Sequence, residues 1–94
     1  MPFKTKPRAP SLTPRQREVV RLVSLGCSAA EIAEILEIAA STIENHKSEA
    51  MRVLGTDKSV LLARLAIKHK ISSMTDTLTA SEKKACGRGD DGWN

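Results

Sequence analysis

Aromatic residues are almost absent from this 94-residue chain. It has no tyrosine, and Phe3 and Trp93 stand alone near the two ends. No core can be built on stacked rings, so Leu, Ile, Val and Ala must fill it, which suits a compact helical fold. Cysteine is equally scarce. Cys27 and Cys86 are too few for a disulfide framework and point to reduced thiols in a cytoplasmic setting. No run is long and apolar enough to cross a membrane. The start, MPFKTKPRAP, lacks the apolar stretch of a secretory signal. The chain also lacks a Gly-rich phosphate loop, a nucleophile elbow and a metal-ligand pair at useful spacing. The reading is therefore no enzyme, no cofactor, no metal and no small-molecule ligand. His46 and His69, with the two cysteines far away in sequence, do not make a zinc site. Glu31, Glu34 and Glu37 read as a solvated helix face.

What is present is charge arranged in blocks. The net charge is +4. Residues 1–21 hold six basic residues against one acidic, and residues 58–71 hold four basic and none acidic. Residues 22–57 hold two basic against six acidic, and residues 72–94 three against four. Basic ends around an acidic middle offer phosphate contacts at the ends; the plain alternative is a solubilising surface.

The chain divides into a basic flexible arm over residues 1–11, a domain over 12–71, and a polar tail over 72–94. Pro2, Pro7 and Pro10 keep the arm from regular structure. A first helix starts at Thr13-Pro14-Arg15-Gln16, a capping box with proline at the first helical position. Val19, Val20, Leu22 and Val23 give its apolar face, and Gly26 ends it. Ser28-Ala29-Ala30-Glu31 is a second capping box, followed by Ile32, Ala33, Ile35 and Leu36 at helical spacing. Glu37 to Ala40 forms a turn in which Ile38 plugs the core. A third helix runs from about Ala40 or Ser41 to Leu54, burying Ile43, His46 or Lys47, Ala50, Met51 and Leu54. A fourth starts at Asp57 or Lys58 and ends near Lys70, with Leu62, Leu65, Ala66 and His69 inward. Its other side, Val60, Leu61, Arg64 and Ile67, is too apolar for a free surface and implies a partner. The tail is expected to be largely disordered, with Cys86 exposed, although Thr79 to Glu82 could cap a short helix through Ala85.

Two helices meeting at a three- or four-residue break, over Ala29 to Leu54, form a helix-turn-helix, whose second helix can enter a DNA major groove. Here the pieces Leu12-Thr13-Pro14-Arg15, Gly26 before Ser28, Glu31-Ile32-Ala33, Ile38, Thr42-Ile43, His46 and Leu54-Gly55 together resemble the LuxR/GerE-type DNA-binding domain of bacterial transcription regulators. The resemblance covers Ser11 to Ile71. It implies an all-α four-helix bundle in which the third helix reads the groove of double-stranded DNA. It also implies a homodimer through the fourth helix, and either a stand-alone regulator or an isolated output domain.

The outward face of the third helix supplies the candidate contacts. Thr42 is placed to bond a phosphate through its hydroxyl, or else to cap its own helix. Asn45 can pair with adenine, or be a solvated surface residue. Glu44 can accept from a cytosine amino group, or simply interact with its helix dipole. Lys47 is a phosphate contact with a packed stem. Ser48 joins the base-reading group, and Arg52 stands late in the helix. Some residues depart from the family pattern. Gln16 replaces the usual Glu, Glu37 the usual Gly or Asp of the turn, Glu44 the usual Lys, and Asp57 a frequent Arg. A left-handed backbone at Glu37 would be strained, and carboxylates near phosphates weaken non-specific attraction. Two other readings stand beside this one. One is a sigma-factor-like promoter-reading domain, suggested by the same LTPR opening. The other is a protein-interaction module that kept the fold.

Overall fold

Three capping boxes set three helix starts. Thr13 Oγ1 accepts from the Gln16 amide at 3.1 Å, and Gln16 Oε1 accepts from the Thr13 amide at 3.1 Å. Ser28 and Glu31 do the same at 3.2 and 2.9 Å, and Thr79 and Glu82 at 3.1 and 2.9 Å. In this computed structural model, which describes residues 11–94, they open α1 (Pro14–Ser24), α2 (Ala29–Leu36) and α5 (Ala80–Cys86). Between them lie α3 (Ala40–Leu54) and α4 (Ser59–Lys68), which start at Ala39 and Lys58 without a side-chain cap. The described residues contain no strand. The expected all-α arrangement with its helix-turn-helix is present, with a fifth helix added. The arm lies outside the described residues except for Ser11.

All five helices end by one device. A residue in the left-handed region stops the helix, and the next amide bonds the carbonyl five residues back. The bonds run from Cys27 to Leu22 (3.0 Å), Ile38 to Ala33 (3.1 Å), Thr56 to Met51 (3.0 Å), Ile71 to Ala66 (2.8 Å) and Arg88 to Lys83 (2.9 Å). Glycine takes the left-handed position at three of the five ends. Glu37 (φ 58°) and Lys70 (φ 63°) take it at α2 and α4, where a Cβ crowds the following carbonyl. The strain expected at Glu37 is therefore real.

The core has two parts, with α1 between them. Val19 and Leu22 enter one with Leu25, Cys27, Ile32, Ile43 and Leu78. Val20, one residue and about 100° further round α1, enters the other with Ala50, Leu62 and Ala66. Leu22, Ile32, Ile43, Leu62, Val19 and Val20 are fully buried, each worth about 1.5–3 kcal/mol of transfer free energy. Ile38, Ile35 and Leu36 pack on the first part, and Leu12, Met51, Leu54 and Ile71 on the second. Cys27 is buried as expected. Burial pushes its thiol up to about 11, against the opposing pull of Arg88, so it stays protonated.

The polar segment after Ile71 differs most from its sequence reading. Its composition predicts disorder, yet it is folded back onto α1 and α2. Leu78 is 4 % exposed and sits in the first core. Arg21 of α1 bonds Asp76, Glu82 and the Thr77 carbonyl. The Asn94 side chain accepts from the Leu78 amide at 2.8 Å and donates to the Leu25 carbonyl at 2.9 Å. Trp93 Nε1 donates to the Asp76 carbonyl at 2.8 Å. Cys86 closes α5 half-buried rather than standing exposed in a loose tail. One buried leucine and a few specific polar bonds order the segment despite its low hydrophobicity.

Candidate nucleic-acid interface

The helix-turn-helix is built from α2, the turn Glu37-Ile38-Ala39, and α3. Ile38 anchors the turn in the first core. The Ala39 carbonyl then accepts from the Thr42 and Ile43 amides at 3.0 and 3.1 Å, which fixes where α3 begins. Ile43 and Ala50, seven residues apart and so on one face, are 0 % exposed. They lock α3 against both parts of the core, one residue in each. The opposite face is therefore held rigidly outward.

That outward face carries Glu44, Asn45, Ser48, Glu49 and Arg52, all exposed. Thr42, His46 and Lys47 flank it half-buried. Ala39, Ala40 and Ser41 leave the start of the helix narrow and unobstructed. The structure thus brings Glu44, Asn45 and Ser48 together on the leading half of α3 and leaves Thr42 at its half-buried edge. It sets Arg52 apart. Its Nη2 bonds Glu49 Oε1 at 2.6 Å, one turn back along the same helix. The spacing i, i+3 allowed that pair, but the sequence reading did not draw it.

On α4 the side expected to meet a partner is partly exposed. Val60 is 74 % exposed and Leu61 45 %, Arg64 is exposed, and Ile67 is half-buried. Leu62 and Ala66 occupy the opposite, buried side. Met74, 64 % exposed, joins Arg64, Ile67 and Lys68 around one shallow depression. Nothing in the sequence reading included Met74, because it lies in the segment expected to be disordered. Among the described residues no group of three or more His, Cys, Asp or Glu is placed to hold a metal. No helix among them is long and apolar enough to cross a membrane.

A narrow, rigid helix presenting hydroxyl, amide and carboxylate groups outward is the arrangement used to read base edges in a groove. Comparison with known proteins agrees. Over 60 residues, the chain is 50 % identical to the transcriptional activator protein BjaR1 of Bradyrhizobium diazoefficiens, covering 64 % of this chain and 25 % of that protein. Over 62 residues it is 40 % identical to the transcriptional regulatory protein MctR of Rhizobium johnstonii, covering 66 % of this chain and 29 % of that protein. The chain thus matches between a quarter and a third of the length of these curated relatives. No solved structure matches it. Residues 10–66, more than half of the chain, match the bacterial regulatory proteins of the luxR family, and the chain belongs to that family.

Proposed function

We propose that this chain binds double-stranded DNA sequence-specifically and regulates transcription, with α3 lying in the major groove. One observation carries the reading. Ile43 and Ala50 pin α3 from behind while Glu44, Asn45 and Ser48 face outward together. The relatives named as transcriptional activator and regulator support it. Thr42 and the helix N-termini hold phosphates and set register. Asn45, Ser48 and Glu44 read base edges. Attraction comes from outside α3, whose Lys47 and Arg52 are balanced by Glu44 and Glu49. Lys47 still reaches the groove edge, and the basic residues of 1–21 and 58–71 add long-range attraction. Pairing of two copies through Val60, Leu61, Arg64 and Ile67 would place two α3 helices on successive half-sites, and the cytoplasm is where the protein would act.

The acidic stretch of residues 22–57, six acidic residues against two basic, favours a second reading, in which α3 addresses a protein partner. Selection of bound sequences from a random duplex pool separates the two. DNA binding predicts an enriched motif and affinity that falls steeply with salt. Absence of binding to any duplex at low salt would overturn the DNA reading.

A further inference from the structure

We propose that Glu44 selects a cytosine in the bound site by accepting a hydrogen bond from its exocyclic amino group. The inference rests on the DNA reading above and adds a named base contact to it.

Two intramolecular roles of a carboxylate do not apply at this position. The first is stabilisation of the helix dipole, which acts within the first turn. Helix α3 begins at Ala40, so Glu44 is its fifth residue, and no acidic residue lies in the first turn. The second is an ion pair. Among the described residues Glu49 pairs with Arg52, and Glu31 lies 3.7 Å from Arg88. Glu44 is exposed and forms no such pair, although Lys47 stands three residues on. Unpaired among the described residues, this carboxylate lies on the face that points away from the core, beside Asn45.

Its chemistry then dictates the base. A carboxylate only accepts. In the major groove guanine offers the acceptors N7 and O6, and thymine offers O4, so both repel it. Adenine offers its N6 amino group but places the N7 acceptor beside it. Cytosine offers its N4 amino group without that neighbouring acceptor. Ala40 and Ser41, one turn back on the same face, are too short to hold α3 off the groove floor.

The test compares binding sites selected from a random duplex pool by the wild-type chain, Glu44→Ala and Glu44→Lys. Glu44 is exposed, so the variants should keep the wild-type thermal melt. The wild type is expected to enrich cytosine at one position by about tenfold over the other bases. Glu44→Ala should lose preference there alone. Glu44→Lys should prefer guanine there, whose O6 and N7 accept from an ammonium. A second arm replaces that cytosine by N4-methylcytosine, which pairs normally but loses the amino hydrogen facing the groove. Wild-type affinity should fall by about tenfold while Glu44→Ala does not discriminate. If the wild type enriches a motif and Glu44→Ala enriches the same motif at every position, the Glu44 contact is wrong and DNA binding stands. Failure of the wild-type chain to bind any duplex would overturn both.

Discussion

Arg21 and Asp76 lie 55 positions apart in sequence and meet in a two-pronged fork, Nε to Oδ2 at 2.8 Å and Nη2 to Oδ1 at 3.2 Å. The same guanidinium reaches Glu82 Oε2 at 2.8 Å and the Thr77 carbonyl at 3.0 Å. Planar guanidinium geometry suits such forks, and partial burial strengthens them. This one side chain ties the C-terminal segment to α1. Its hydrogen bonds to Asp76 and Glu82, opposed by desolvation, hold its pKa above the ordinary arginine value. Arg21→Ala should cost about 2 kcal/mol of stability. It should also release Trp93, whose Nε1 is bonded to the Asp76 carbonyl, and shift its emission to longer wavelength. Thermal melts and intrinsic fluorescence check both effects. An unchanged melt with unchanged emission would show that the fork does not hold the segment.

The same fork sets a pH dependence. Hydrogen bonds from Arg21 hold the Asp76 carboxyl below its usual range. Burial pushes the Glu82 carboxyl up, but bonds from Arg21 and the Thr79 amide outweigh it, and the net shift is downward. Protons therefore bind the unfolded chain more readily. The contribution to stability is complete above about pH 5 and fades as pH falls through about 4 and below. Melts between neutral and acid pH should show this loss, and Arg21→Ala should make the acid limb shallower.

Glu37 and Lys70 occupy left-handed positions that cost a side-chain-bearing residue roughly 1–2 kcal/mol. Glu37→Gly and Lys70→Gly should each stabilise the fold by about 1 kcal/mol after the entropy of a freer unfolded chain is counted, raising the melting midpoint by about 4–8 °C. Gly55→Ala should do the reverse. An added Cβ there meets nothing within 4 Å, so its cost comes from the backbone at φ 79° alone. Equal melting temperatures across the series would refute the strain argument.

Glu49 neutralises Arg52 on α3. Glu49→Ala removes a negative charge and frees a positive one, so affinity for any duplex should rise and the salt slope should steepen by about one phosphate contact. Lys47→Ala should lower affinity for all sequences and make the slope shallower by about one, while Asn45→Ala should relax preference at one base pair by about 1–3 kcal/mol. Fluorescence anisotropy on specific and random duplexes across a salt series separates these outcomes. Weaker binding by Glu49→Ala would count against the pairing as a brake on DNA affinity.

Val60 and Leu61 expose apolar surface on α4 that none of the described residues covers. Leu61→Glu should leave the far-ultraviolet circular dichroism intact, because Leu62 and Ala66 carry the packing of that helix. It should abolish self-association in sedimentation velocity. A wild-type chain that sediments as a monomer at high concentration, with and without duplex DNA, would rule out pairing through α4.

Local chemistry by itself determined the starts of α1 and α2, the turn and the inward faces of the first four helices. Thr13 with Gln16 and Ser28 with Glu31 act over three residues, and Ile43 and Ala50 follow the helical period, so a linear reading finds them. It also found the outward set of Glu44, Asn45 and Ser48, because the inward set leaves no other face for them. Tertiary structure decided the rest. Whether residues 72–94 are ordered depended on Leu78 reaching a core formed by α1, α2 and α3, and on Arg21 meeting carboxylates 55 and 61 positions away. Composition averages over such contacts and predicted disorder. The start of α3 at Ala40 placed Glu44 beyond the reach of the helix dipole, and the side-chain geometry of the folded helix paired Arg52 with Glu49. Spacing permits these pairings, but only folded side-chain geometry selects among them, and that choice sets which charges on α3 remain free.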